Sequence, residues 1–199
     1  MLESLFILGS YLYGAIPFAL VIGKVFYKTD VRQHGSGNLG GSNTGRVLGK
    51  KVGVLVIVLD ASKALLVMLI SQYASRRLNL FTDLNYLCAV ACIIGHCYPV
   101  FAGFKGGKAV STAIGFFFAI NVIGAILSLV VFFIVLKISK YVSLSSCVAS
   151  FSVLLCLPLL NLSIIGNCST AFIILFLIYR HKSNLIKVMN KTENKISWM

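Results

Sequence analysis

Acidic side chains are almost missing from this chain. Five occur in 199 residues: Glu3, Asp30, Asp60, Asp83 and Glu193. Histidine and proline number three each. There is no HExxH sequence and no cluster of carboxylates and histidines at metal-ligand spacing, so a protein-held metal has little support. No GxxxxGK[ST] phosphate loop occurs, and a dinucleotide loop would need a soluble α/β setting that the flanking apolar segments deny. The six cysteines form no CxxC pair. Most lie in or beside apolar segments and read as small buried hydrophobes. A continuous basic surface or an aromatic–basic repeat is also lacking, which sets nucleic acid aside as a partner. No cofactor is expected.

Apolar sequence fills the chain instead. The apolar set makes up 58% of the residues and charged side chains only 12%. That is far from an ordinary soluble domain. Several runs approach the roughly 20 residues that span a bilayer as a helix. A soluble bundle would need polar outer faces on its helices, and these runs mostly lack them. The formal charge of +13 then says mainly where the loops sit, and it favours anionic headgroups.

Span 1 is expected near residues 4–23, interrupted by Gly14 and Pro17. Glu3 is its only early charge and the run ends at Lys24, so it reads as a retained span and not as a cleaved signal. The densest basic cluster between spans follows, which places residues 24–51 in the cytoplasm and the N-terminus outside. Span 2, near 52–73, carries Asp60 and Lys63. Asp60 lies about 13 Å along the helix from Lys51. Each charge costs about 2.5–3.5 kcal/mol at the centre of an inserted helix. Their i,i+3 spacing puts them on one face, either as a packing pair or as the lining of a polar cavity. Arg76 and Arg77 follow on the expected outer side, against the charge rule. Span 3 is expected near 84–99.

Residues 109–136 are long for one span and short for two. Splitting them near Gly115, Asn121 or Gly124 gives seven helices. Lys137, Lys140 and the basic tail 180–195 then fall inside, and the uncharged turn 161–167 falls outside. Two further spans are expected near 141–160 and 164–179. The expectation is one all-α integral membrane domain over 1–199, with about seven transmembrane helices, some short or broken.

Three polar stretches share the cytoplasmic side in this arrangement. The first, GSGNLGGSNTGR at 35–46, holds Gly35, Ser36, Gly37, Asn38, Gly40, Asn43 and Arg46. Glycine lets the backbone turn and present N–H groups, serine and asparagine add polar side-chain groups, and arginine adds a charged fork. That chemistry suits a phosphate, a carboxylate or an oxyanion; the plain alternative is a flexible polar linker. The second, around Lys105, Gly106, Gly107 and Lys108, is a lysine-flanked glycine pair near a helix start, a second candidate anion site. His96 precedes it, as a proton carrier or a structural histidine. The third holds His181 and Asn184. If the three converge beside lipid, they suit a reaction between a water-soluble phosphate compound and a fatty chain.

The motifs resemble one family, the bacterial acyl-phosphate-dependent glycerol-3-phosphate acyltransferases, or PlsY family. GSGNLGGSNTGR is similar to GSGNxGATNxxR, with Gly41 and Ser42 at the usual Ala-Thr. GHCYPVFAGFKGGKAV at 95–110 resembles GHxxPxFxxFKGGKGV, with Ala109 for a glycine. RHKSNLIKVMNKTENK at 180–195 resembles RHxxNIxRLxxGxExK, read with Lys187 for arginine and Asn190 for glycine. Asp60 and Lys63 match a DxxK element, with Ala64 at its glycine position. The resemblance covers nearly the whole chain. It implies acyl transfer from acyl phosphate to glycerol 3-phosphate, giving lysophosphatidate and phosphate for phospholipid biosynthesis at the bacterial cell membrane. It also implies functional coupling to the enzyme that makes acyl phosphate. Ser36, Arg46, Lys105 and His181 become the expected catalytic residues. Substrate contacts are expected from these four together with Gly35, Gly37, Asn38, Gly40, Asn43, Gly106, Gly107, Lys108 and Asn184. A transporter for a small organic phosphate and a noncatalytic membrane scaffold are the two other classes that the residues allow.

Overall fold

The computed structural model describes residues 1–196. Every regular element among them is helical: α1 (Leu2–Gly14), α2 (Phe18–Tyr27), α3 (Gly41–Leu48), α4 (Lys50–Leu78), α5 (Leu84–Cys97), α6 (Val110–Ile120), α7 (Val122–Ser139), α8 (Val142–Leu155), α9 (Ile164–Arg180) and α10 (Lys182–Met189), with three short 3-10 turns. Contacts divide the chain after Ala119 into two compact units. Three segments are long and apolar enough to cross a membrane: Lys50–Leu78, Leu84–Ala102 and Val122–Ser139. Two bent pairs, α1 with α2 at 43° and α9 with α10 at 51°, raise the number to five. Two shorter apolar helices, α6 and α8, complete the seven expected segments.

In the first unit α5 packs against both α1 and α4, and α3 lies along the start of α4. Backbones touch where the sequence supplies glycine. A β-carbon at Gly14 would meet the Cys92 carbonyl of α5, and one at Gly95 would meet the Tyr11 carbonyl of α1. Small residues let helices approach this closely where lipid tails give no hydrophobic drive for association.

The break in the first span has a local cause. Pro17 has no N–H to continue the helix ladder, and the chain bends there. Lys63 ties the bend to α4. Its Nζ donates to Ile16 O at 2.5 Å, Gly14 O at 3.3 Å and Asp60 Oδ1 at 2.7 Å. The Phe18 ring lies 4.5 Å from the same nitrogen. Lys63 is 0% exposed and Asp60 1%. Of the two readings the sequence leaves open for this pair, these contacts favour packing, because all three ammonium protons have oxygen partners.

The polar connection after span 1 is shorter than expected. α2 runs on to Tyr27, and the second half of the glycine-rich stretch is helical from Gly41. Gly40 is extended at φ −113°, and its carbonyl accepts from both Thr44 N and Thr44 Oγ1. Gly49 ends α3 at φ +102°.

In the second unit α8 packs on α7 and α9. Asn121 marks the start of α7, its Oδ1 accepting from Gly124 N at 2.7 Å, a side-chain N-cap. This fixes the division that length alone requires within 109–136. Ser163 caps α9 in the same way.

Replacing Lys63 by Met keeps most of the side-chain volume and leaves Asp60 as an unpaired buried charge. Its expected cost is about 3–5 kcal/mol, the usual penalty for removing one partner of a buried pair. Thermal unfolding of the purified protein in detergent measures it.

Candidate functional site

The first polar stretch is a tight loop tied to its own helix. Gly35 and Gly37 take φ of +60° and +68°, a region that favours glycine. Asn43, on the first turn of α3 and 2% exposed, reaches back into the loop. Its Oδ1 accepts from Ser36 N at 2.8 Å; its Nδ2 donates to Val31 O at 2.9 Å and His34 O at 3.2 Å. Both ends of the side-chain amide therefore serve the backbone, and Asn43 acts by holding the loop. A β-carbon at Gly35 would collide with that same Asn43 oxygen. Ser36 and Arg46 are exposed. α3 has no side-chain cap, so its N-terminal N–H groups and the positive end of its dipole face the loop.

Asp30 and Arg32 brace the other side of this loop, a role the sequence reading does not assign them. Arg32 grips Asp30 through Nε at 3.0 Å and Nη2 at 2.6 Å, and its backbone N–H also donates to Asp30 Oδ1. The Arg32 guanidinium holds the Asp30 carboxyl well below the usual carboxylate range. Its contribution to stability is complete above the ordinary carboxylate pKa of about 4 and is lost only as pH falls far below it. The 3-10 turn between them presents the Val31 and His34 carbonyls that Asn43 uses.

The second polar stretch meets the first. Asn38 Nδ2 donates to Gly106 O at 3.3 Å, across 68 residues of sequence. Gly106 N donates to Cys97 O and Gly107 N to His96 O, which folds the turn back onto the end of α5. Those two N–H groups already bond carbonyls, and α6 begins only at Val110. A β-carbon at Gly106 would meet His96 O, and one at Gly107 the His96 ring, so the pair is needed for close packing. Lys105 is exposed beside them and Lys108 half-buried. Ala109, where the resemblance has glycine, sits fully buried at φ +66°.

The third stretch belongs to the second unit. His181, 5% exposed, lies at the α9–α10 bend, and its Nδ1 is 2.9 Å from Leu177 O. The Leu177 carbonyl can only accept, so that bond requires a proton on Nδ1. Asn184 donates to Glu193 Oε1 at 2.7 Å, and Ser143 of α8 donates to the same oxygen at 3.1 Å. Glu193 thus joins α10 and α8. Its position as the one acid in a basic tail is the sequence signal for it. The glycine correspondence needs correction. Asn190 has φ −81°, an ordinary helical value, whereas Lys191 has φ +58°. Counted from Arg180, the glycine of RHxxNIxRLxxGxExK falls on Lys191, and the left-handed backbone there explains it.

The family model for glycerol-3-phosphate acyltransferase matches residues 4–191. The chain belongs to the glycerol-3-phosphate acyltransferase family. Glycerol-3-phosphate acyltransferase 2 of Bacillus anthracis is 42% identical over 187 residues, covering 94% of this chain and 95% of that one. Glycerol-3-phosphate acyltransferase of Listeria monocytogenes serovar 1/2a is 43% identical over 190 residues, covering 96% and 94%. The fold matches crystal structures of PlsY, an integral membrane glycerol 3-phosphate acyltransferase. The glycerol 3-phosphate form gives a TM-score of 0.91 at 35% identity, over 99% of this chain and 96% of that one. The lysophosphatidic acid form gives 0.88 at 34% identity, with the same coverage. With these relatives the seven apolar segments are those of an all-helical, multi-pass integral membrane protein of the bacterial cell membrane.

Two substitutions test the local geometry. Asn43→Ala removes one acceptor and two donors from a buried site; about 1–3 kcal/mol of stability is expected to be lost for the groups left unmet. Ala109→Gly relieves a left-handed alanine and is expected to add about 1 kcal/mol. Both are read as shifts in thermal unfolding.

Proposed function

We propose that this protein transfers an acyl group from acyl phosphate to the 1-hydroxyl of sn-glycerol 3-phosphate. The hydroxyl oxygen bonds to the acyl carbon, the bond from that carbon to the phosphate oxygen breaks, and the products are lysophosphatidate and inorganic phosphate. Family membership supports glycerol 3-phosphate as acceptor. The observation that carries the site is the Asn38–Gly106 hydrogen bond, which joins the serine- and arginine-bearing loop to the lysine-bearing turn. That junction supports reading the two stretches as parts of one phosphate-binding region.

The first loop, with exposed Ser36 and the N-terminus of α3, is assigned to the acyl-phosphate headgroup. Gly35, Gly37 and Gly40 shape it. Arg46, Lys105 and Lys108 neutralise phosphate charge, and arginine adds a two-pronged contact. Gly106 and Gly107 contribute shape. His181 is assigned the proton of the attacking hydroxyl through Nε2, and Asn184, oriented by Glu193, the glycerol phosphate. The donor is already activated, so no protein nucleophile is required, and Ser36 acts as a hydrogen-bonding group. The basic loops are read as cytoplasmic, with the N-terminus outside. Soluble acceptor and membrane-held donor meet there, in functional coupling with the enzyme that makes acyl phosphate.

The deciding measurement compares palmitoyl phosphate, palmitoyl-CoA and palmitoyl acyl carrier protein as donors to glycerol 3-phosphate, following lysophosphatidate. Product from palmitoyl phosphate alone is expected, and product from a thioester would overturn the donor assignment. Arg46→Ala is expected to lower kcat/KM at least about 10-fold, the worth of a charge-assisted hydrogen bond. A folded Arg46→Ala protein with unchanged kinetics would remove Arg46 from the site.

A further inference from the structure

One buried group of the first unit has no part in the reaction just described. His96 lies in the last turn of α5 and is 6% exposed. Its Nδ1 is 3.6 Å from Asp60 Oδ1, the oxygen that also accepts from Lys63. Asp60 Oδ2 is buried and accepts no hydrogen bond from the described residues. The opposite edge of the imidazole faces the second polar turn. A β-carbon on Gly107 would strike Nε2, Cε1 and Cδ2 of the ring.

The ring therefore fills the gap between the α4 ion pair and the turn that carries Lys105 and Lys108. Three bonds hold that turn against it. Gly107 N donates to the His96 carbonyl, Gly106 N donates to the Cys97 carbonyl, and Gly106 O accepts from Asn38. With the turn clamped at its glycines, the width of the ring from Nδ1 to its Nε2 edge sets how far it stands from α4. The lysines flank those glycines directly in sequence. Any change in the height of the glycine pair moves both. Imidazole suits the place because it turns one ring nitrogen toward the carboxylate and its opposite edge toward the turn.

We propose that His96 is a positioning residue for acyl transfer: wedged between Asp60 and Gly107, it fixes the 105–108 turn and so the point at which Lys105 and Lys108 meet phosphate. The inference rests on the reading of those lysines as phosphate ligands. His96 acts through them and does not touch the reacting atoms. A shift of about 1 Å in a positioning element far from the chemistry is enough to cost roughly 100-fold in rate, so a spacer of this kind is consequential.

Steady-state kinetics of the purified full chain in detergent, with palmitoyl phosphate as donor and glycerol 3-phosphate varied, test the proposal. His96→Ala is expected to raise the KM for glycerol 3-phosphate about 10-fold, with kcat falling less than about threefold. His96→Asn keeps an N–H near the Nδ1 position and is expected to bring KM back to within about threefold of the parent. Gly107→Ala leaves the ion pair intact and pushes the turn off the ring, so it is expected to raise KM by a similar factor. It also serves as the second test if His96→Ala does not fold. A histidine that only stabilised the bundle would lower the unfolding temperature and leave KM unchanged, and that result would overturn the proposal. Failure of His96→Asn to restore KM would do the same, as would an unchanged KM in Gly107→Ala. Lys105→Ala separates the two levels. If it raises KM while His96→Ala does not, positioning alone fails; if Lys105→Ala leaves KM unchanged, the phosphate assignment fails and the inference with it.

Discussion

A single ammonium group in an apolar interior sets the terms for the first half of this protein. Lys63 sits where a charge is most expensive, and it stays because three oxygens converge on it. Two of those oxygens belong to a helix that Pro17 has broken. The third belongs to Asp60, whose own burial is tolerable only because Lys63 is there. Break and ion pair are thus each other's justification. A straight first span would leave the lysine without these carbonyls, and a hydrophobic residue at 63 would leave Asp60 without its ammonium partner and the break without its cross-helix donor. The arrangement is a membrane version of a general rule: irregular backbone is tolerated at depth only where protein groups satisfy it.

From this pair the order of the site can be followed outward. Asp60 faces His96, His96 underlies Gly107, and the Gly106 carbonyl takes the Asn38 amide. Asn43 completes the other end by bonding three backbone groups of the first loop at once. Such rigidity suits the proposed phosphate site, since preorganised donors act without reorganising during a reaction. The glycines serve two distinct ends here. Gly35 and Gly37 supply left-handed turns, while Gly106 and Gly107 supply absence of bulk.

Much of this was legible in the sequence. Seven apolar segments follow from length and charge, and the division near residue 120 emerges at Asn121, one of the three positions considered. Gly14 and Pro17 mark the bend in the first span. The three motifs locate the candidate site residues. What the sequence hides is who touches whom. An asparagine in a polar motif looks like a substrate ligand whether it faces ligand or backbone, and only burial shows that Asn43 faces backbone. Glycines between lysines suggest open N–H groups, yet those N–H groups are bonded to the end of α5. The helical half of the first motif is hidden for a similar reason: Gly41–Leu48 contains two glycines and scores as a loop by propensity, but packing on α4 holds it in a helix. The glycine position of the third motif falls on Lys191 by counting from Arg180, and the left-handed backbone there gives its physical reason.

The plugged bend also orders the assembly of the chain in time. The first span leaves synthesis well before residue 63 does. Until α4 enters the bilayer, the Gly14 and Ile16 carbonyls lack the ammonium that later holds them. Arrival of Lys63 therefore adds the cross-helix bonds that tie the bend to its neighbour. Lys63 in turn enters lipid most easily where those carbonyls and Asp60 already await it. Insertion of the second long helix and setting of the first are in this sense one step.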